Sequence, residues 1–376
     1  MQAIINAKIF TEDEVIENGY IEFDENIISY GKGDYSGNAE TIDAHGFMLL
    51  PGFIDIHIHG GYGADAMDGN HESLNTLSQG LLSEGTTAFL ATTMTESLPR
   101  ITTALQSIAS FDSKGAELLG IHLEGPFISE HKVGAQDPKY VTHPSIQLID
   151  TLQKAADHKI KIITIAPEVS GASEVIQHFK DIIFSAGHTV ATFHEMNEAV
   201  DNGLRHITHL YNAATGFTHR EPGAFGAAWL NDQLKTECIV DGVHSHPAAV
   251  KIAYRLKGND NFMVITDAMR AKGLGDGESE LGGQKVNVCG NEARLKDGTL
   301  AGSVLKMNDG LKNFIEYTGE SVDNAWRVMS YNQAVALGED SRLGSIKVGK
   351  QADFVLLDDE FNVLRTVKRG YNIYNK

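Results

Sequence analysis

Histidines and carboxylates in this chain collect at the ends of short apolar runs. The run at 53–57 leads into His57-Ile58-His59, and the run at 118–123 into His122-Leu123-Glu124-Gly125-Pro126. Residues 182–185 are followed by Gly187-His188-Thr189, and 204–208 by His209-Leu210-Tyr211-Asn212-Ala213. Residues 236–240 lead through Asp241-Gly242 to His244, and 262–266 to Asp267-Ala268. His57 and His59 lie two apart on a strand, so both imidazoles point to one face and can share a metal ion. Singly, each of these residues has a plainer reading: a packed histidine, a loop acid or a helix cap. Together they form a set of nitrogen and oxygen ligands without cysteine. Such a set suits zinc or a similar divalent ion with one position left open for water. Asp267, at the last run end, is the candidate for moving a proton.

The elements that must bring these residues together are legible as well. Eight near-continuous apolar runs, the six above plus 87–91 and 160–165, read as parallel strands buried on both faces. Amphipathic stretches at 74–83, 145–158, 191–202 and 247–256 lie between them. Eight strand–helix units in about 220 residues predict a (β/α)8 TIM-like barrel rather than an open sheet. In such barrels the active site sits at the C-terminal strand ends, where the candidate ligands stand. Residues 307–317 and 322–337 predict two further helices. Residues 282–302 predict a small β excursion, entered through a Gly-rich loop at 271–280. Near the chain ends, 2–10, 13–23, 26–30, 352–357 and 362–368 alternate and turn. They predict a small β-sandwich domain built from both termini, residues 1–50 plus 341–376, beside a barrel at 51–340. The alternative is two unrelated terminal hairpins.

Composition narrows the function. The net charge of −19 and pI near 5.2 argue against nucleic acid as a partner. An anionic substrate needs a local positive pocket against the overall field. No apolar stretch reaches the roughly 18 residues of a membrane span. Met1 to Phe10 lacks the pattern of a signal peptide. Two cysteines, Cys238 and Cys289, make no disulfide framework and fit a cytoplasmic location. His194-Glu195-Met196-Asn197-Glu198 lacks the second histidine of a zinc-protease helix.

The strand-end motifs, with Pro51-Gly52-Phe53-Ile54-Asp55 before the first and Ser345-Ile346-Lys347-Val348-Gly349-Lys350-Gln351-Ala352-Asp353-Phe354 near the end, resemble the amidohydrolase superfamily. Within it they are similar to the deacetylases of N-acetylated amino-sugar 6-phosphates, N-acetylglucosamine 6-phosphate above all. The resemblance runs nearly end to end. It implies amino-sugar metabolism, with a phosphorylated amino sugar as substrate and acetate as a product. It implies that Glu124, His188 and His209 hold a divalent metal, zinc first, with iron, manganese or cobalt as alternatives. The retained His57 and His59, with Asp267, imply a second ion bridged by Glu124, so one or two ions per subunit. Asp267 is then the general base and acid. Many relatives carry a histidine where this chain has Gln136, so the oxyanion donor here is an amide. Asn212, Ala213 and His244 are implied substrate contacts. Arg220 is implied to reach the phosphate in a neighbouring subunit of a homodimer, and its plain reading is a surface ion pair with Glu221 or another acid. Rival readings are the galactosamine epimer, another amide, or a non-catalytic metal-binding sensor.

Overall fold

Each of the eight apolar runs forms a strand in the computed structural model, which describes residues 1–376, the side chain of Asn372 excepted. Strands 1 to 8 of the barrel are Phe53–Ile58, Thr86–Thr93, Glu117–Glu124, Ile160–Ile165, Ile183–Ala186, His206–Ile207, Lys235–Ile239 and Phe262–Ile265. They are hydrogen-bonded in that order, all parallel. The seam between strands 8 and 1 carries one backbone bridge, Ile58 to Ala268. Buried Asp55 supplies much of the rest. Its carboxylate reaches strand 8, accepting from the Thr266 hydroxyl at 2.5 Å and the Thr266 amide at 3.3 Å, and within its own strand accepts from the His57 amide at 3.2 Å.

Helices cover the outside of the barrel, and their starts follow local sequence rules. The Asn70 side chain accepts from the Ser73 amide, and Ser145 from Leu148. Thr192 and Glu195 form a reciprocal capping box. Three helices escape the sequence reading: Leu98–Ser110, Ala172–His178 and Gly223–Leu230. The last is apolar nearly all round, so it shows no amphipathic stripe. The helix expected over 322–337 is broken at Ser330, whose backbone (φ −151°, ψ −56°) interrupts the spiral between short helical pieces.

The chain ends meet in one mixed sheet of eight strands. Met48–Pro51 pairs with Phe354–Leu357, which joins N-terminal and C-terminal strands directly. The sheet curls around its own apolar core of Ile4, Ile9, Ile21, Leu49 and Val367. Phe23 and Phe354, from strands that are not neighbours, meet edge-on with centroids 5.3 Å apart. The termini are therefore not unrelated hairpins. The expected excursion after strand 8 is a three-stranded antiparallel sheet, Gly277–Leu281, Gln284–Cys289 and Glu292–Arg294. Its first strand begins inside the stretch read as a loop. Among the described residues, no helix is long and apolar enough to cross a membrane.

Candidate metal centre

Alternation on strand 1 turns Asp55, His57 and His59 to one side while Ile54 and Ile56 pack into a separate apolar cluster. Glu124 ends strand 3 and is buried. His188, His209 and Asp267 follow strands 5, 6 and 8 with φ of +48°, +30° and +48°. For residues with a Cβ, such left-handed backbone costs about 1–2 kcal/mol each. Tertiary contacts hold it in place: Ser129 donates its amide to the His188 carbonyl, and the Asp267 amide donates to the His57 carbonyl.

These side chains form two sets sharing Glu124. In the first, Glu124 Oε1 lies 3.1 Å from His188 Nε2 and 3.0 Å from His209 Nε2, and the two imidazole nitrogens are 3.2 Å apart. In the second, His59 Nε2 is 3.1 Å from both Glu124 Oε2 and Asp267 Oδ1. His57 Nε2 lies 3.4 Å from Asp267 Oδ1 and 3.6 Å from Glu124 Oε1.

The hydrogen-bond roles of the outer ring nitrogens test whether a cation fits. His188 Nδ1 faces the Lys132 carbonyl at 2.8 Å, and His59 Nδ1 faces the Thr92 carbonyl at 3.2 Å. A carbonyl only accepts, so each Nδ1 carries the proton and each Nε2 offers a lone pair. Those lone pairs converge on carboxylates that also only accept. Acceptors at this spacing need a cation between them. The near-equilateral first triangle lets one ion reach all three atoms at about 2 Å. Without metal, protons fill that need. Burial opposes charge on His59, but Asp267 and Glu124 outweigh it and raise the ring to about 9. Burial likewise opposes the Asp267 carboxylate, yet His57 and His59 hold it at about 2. Metal uptake therefore displaces protons.

His59, Glu124, His188, His209 and Asp267 form the floor of a cavity of about 600 Å³, with His57 buried behind them. The Gln136 Oε1 accepts from the Thr95 amide at 3.1 Å, which fixes the flip of the side chain. Its Nε2 therefore points at the metal sets, 3.3 Å from His188 Nε2. His244 is held by Asp241, at 2.6 Å on Nδ1 and 2.8 Å on its amide.

The amidohydrolase family model matches residues 48–373. The chain belongs to the amidohydrolase family. The N-acetylglucosamine-6-phosphate deacetylase of Bacillus subtilis (strain 168) is 46% identical, over 96% of this chain and 94% of its own. The structure of the Thermotoga maritima enzyme of that name is 36% identical with a TM-score of 0.88, over all of both chains. A Mycobacterium smegmatis structure, in complex with N-acetyl-D-glucosamine 6-phosphate, is 27% identical with a TM-score of 0.93 over 100% of this chain and 99% of that one.

In this amidohydrolase the expected residues occupy three places. His57, His59, Glu124, His188, His209 and Asp267 meet at the floor, while Gln136, Asn212, Ala213 and His244 line the cavity above. Arg220 is exposed, outside the cavity lining of its own chain. It makes no ion pair with Glu221, whose carboxylate accepts instead from the Phe193 and Gly223 amides. Sequence reasoning missed Arg294 and Thr299, which the small sheet and the turn after it bring to the cavity wall. No local signal marked them. It also missed buried Glu237 behind His57, although a glutamate inside the apolar run at 236–240 was a signal.

Proposed function

We propose that this amidohydrolase hydrolyses the N-acetyl group of N-acetyl-D-glucosamine 6-phosphate, giving D-glucosamine 6-phosphate and acetate in amino-sugar catabolism. The observation that carries the reading is the pair of lone-pair sets sharing Glu124 at the floor of a cavity, with Asp267 beside them. Relatives that share the whole fold bear that activity in their names. Glu124, His188 and His209 would hold one divalent ion, and His57, His59, Asp267 and Glu124 a second. Zinc suits these ligands, and iron, manganese or cobalt would fit the same set. Such an ion, when bound, supplies a Lewis acid and acidifies water toward a pKa of about 7.

The chain's own groups do the rest. Asp267 accepts the proton of the attacking water and returns it to the departing amine. Gln136 Nε2 donates to the acetamide oxygen as negative charge gathers there. Asn212, Ala213 and His244 orient the sugar phosphate. Arg220 completes the phosphate site of a second subunit in a homodimer, and its exposure and lack of a partner within its own chain support that role. Free Cys238 and Cys289 support a cytoplasmic location.

The test is acetate release, followed by proton NMR, from metal-loaded protein. The substrates are N-acetylglucosamine 6-phosphate, its unphosphorylated parent and the galactosamine epimer. Rapid hydrolysis of the first alone is expected. No reaction with any of them by protein that holds metal would overturn the assignment.

A further inference from the structure

Behind the second ligand set lies a group that the mechanism does not use. Glu237 of strand 7 is fully buried, directly behind His57. Its Oε2 is 3.4 Å from His57 Nδ1 and its Oε1 is 3.4 Å from His206 Nδ1. We propose that Glu237 is the positioning residue that fixes His57 as a ligand, and so decides whether the chain holds one ion or two. The proposal rests on the two-ion reading above.

The argument is one of tautomers. A buried carboxylate between two imidazoles accepts hydrogen bonds and donates none. Nδ1 of His57 therefore keeps its proton, and Nε2, which faces Asp267 and Glu124 at 3.4 and 3.6 Å, is the nitrogen left free to face a cation between them. Carboxylates in this place orient metal-ligating histidines and make them more basic.

His122 is the competing neighbour, with its ring centroid 4.5 Å from that of His57. It is already occupied. Its Nδ1 faces the Ile56 carbonyl at 3.0 Å, and its Nε2 pairs with the Thr164 hydroxyl at 2.8 Å. The buried trio of His57, His122 and Glu237 is thus a hydrogen-bonded support and not a third ion site. The two ligand sets also differ in how they are anchored. His188 and His59 are oriented by backbone carbonyls, at Lys132 and Thr92. His209 Nδ1 has no hydrogen-bond partner, and only His57 takes its tautomer from a side chain, so a substitution at 237 acts first on the second set.

The experiment is titration of chelator-stripped protein with zinc, with bound metal counted after gel filtration. Wild type takes up two ions. In Glu237→Leu one ion's Kd rises roughly 10–100-fold while the other is unchanged, and Glu237→Gln, which keeps an acceptor, falls between. Equal weakening of both ions, or of neither, overturns the proposal. A wild type that binds a single ion brings down the two-ion reading as well, which separates the two failures. Where the variants do not fold, zinc-loaded wild type labelled with nitrogen-15 histidine decides. His57 is expected with Nδ1 protonated and Nε2 on the metal, and the reverse tautomer overturns the proposal.

Discussion

Gln136→Leu separates the donor from the scaffold that holds it. The change removes both polar atoms and leaves an apolar side chain one atom shorter. On the proposed mechanism, loss of the Nε2 donor removes one oxyanion contact, for which kcat falls by roughly 10²–10³, or about 2.7–4 kcal/mol. Loss of Oε1 leaves the buried Thr95 amide without its 3.1 Å acceptor. That orphaned amide costs about 1–3 kcal/mol of stability. Gln136→Glu divides the two effects. It keeps an oxygen for Thr95 but puts a second oxygen where the Nε2 donor stood, beside His188 Nε2, so stability recovers while kcat stays low. The assay measures kcat and KM separately by acetate release, with metal content and urea unfolding of each variant alongside. A Gln136→Leu protein with full metal content and kcat within about threefold of wild type would refute the donor role. A loss confined to KM would move Gln136 to ground-state binding.

Asp267→Asn keeps the shape and abolishes proton acceptance, so kcat falls by roughly 10²–10⁴, while metal analysis still finds the ion of the Glu124, His188 and His209 set. Lys272 and Glu84 form a fully buried pair at 2.7 Å. Lys272→Met strands the glutamate, and urea unfolding is expected to show a loss of about 3–5 kcal/mol; a change under about 1 kcal/mol contradicts the pairing argument. At the base of strand 3, burial opposes the Glu117 carboxylate, but Lys368 and Arg342 outweigh it and lower its pKa from 4.5 to about 2. Its folded value lies below its unfolded one, so it adds stability above pH 4.5 that disappears as the pH falls toward 2. The contribution is about 3 kcal/mol. Acid unfolding of Glu117→Gln should start from a less stable protein and slope less steeply over that interval; an unchanged slope would remove Glu117 from the acid response.

Sequence alone determined the barrel and the floor of its site. Eight apolar runs demanded burial on both faces, and six of them end in imidazole or carboxylate groups. A strand's two-residue period fixes which way His57 and His59 face, whatever lies around them. The same local rules explain the helices that were found, through caps at Asn70, Ser145 and Thr192. They also explain the miss at Gly223–Leu230, where an all-apolar helix has no stripe to read.

What only the tertiary structure decided is how those groups act. The left-handed backbone at His188 and Asp267 is locally unfavourable and exists because distant backbone groups hold it. The direction of the Gln136 amide depends on Thr95, 41 residues away, and the tautomer of His57 on Glu237, 180 residues away. Arg294 and Thr299 enter the cavity wall only because the excursion folds back over it. Residue type and spacing report what a group can do; which proton it carries, and what it faces, is set by partners that meet only when the barrel closes.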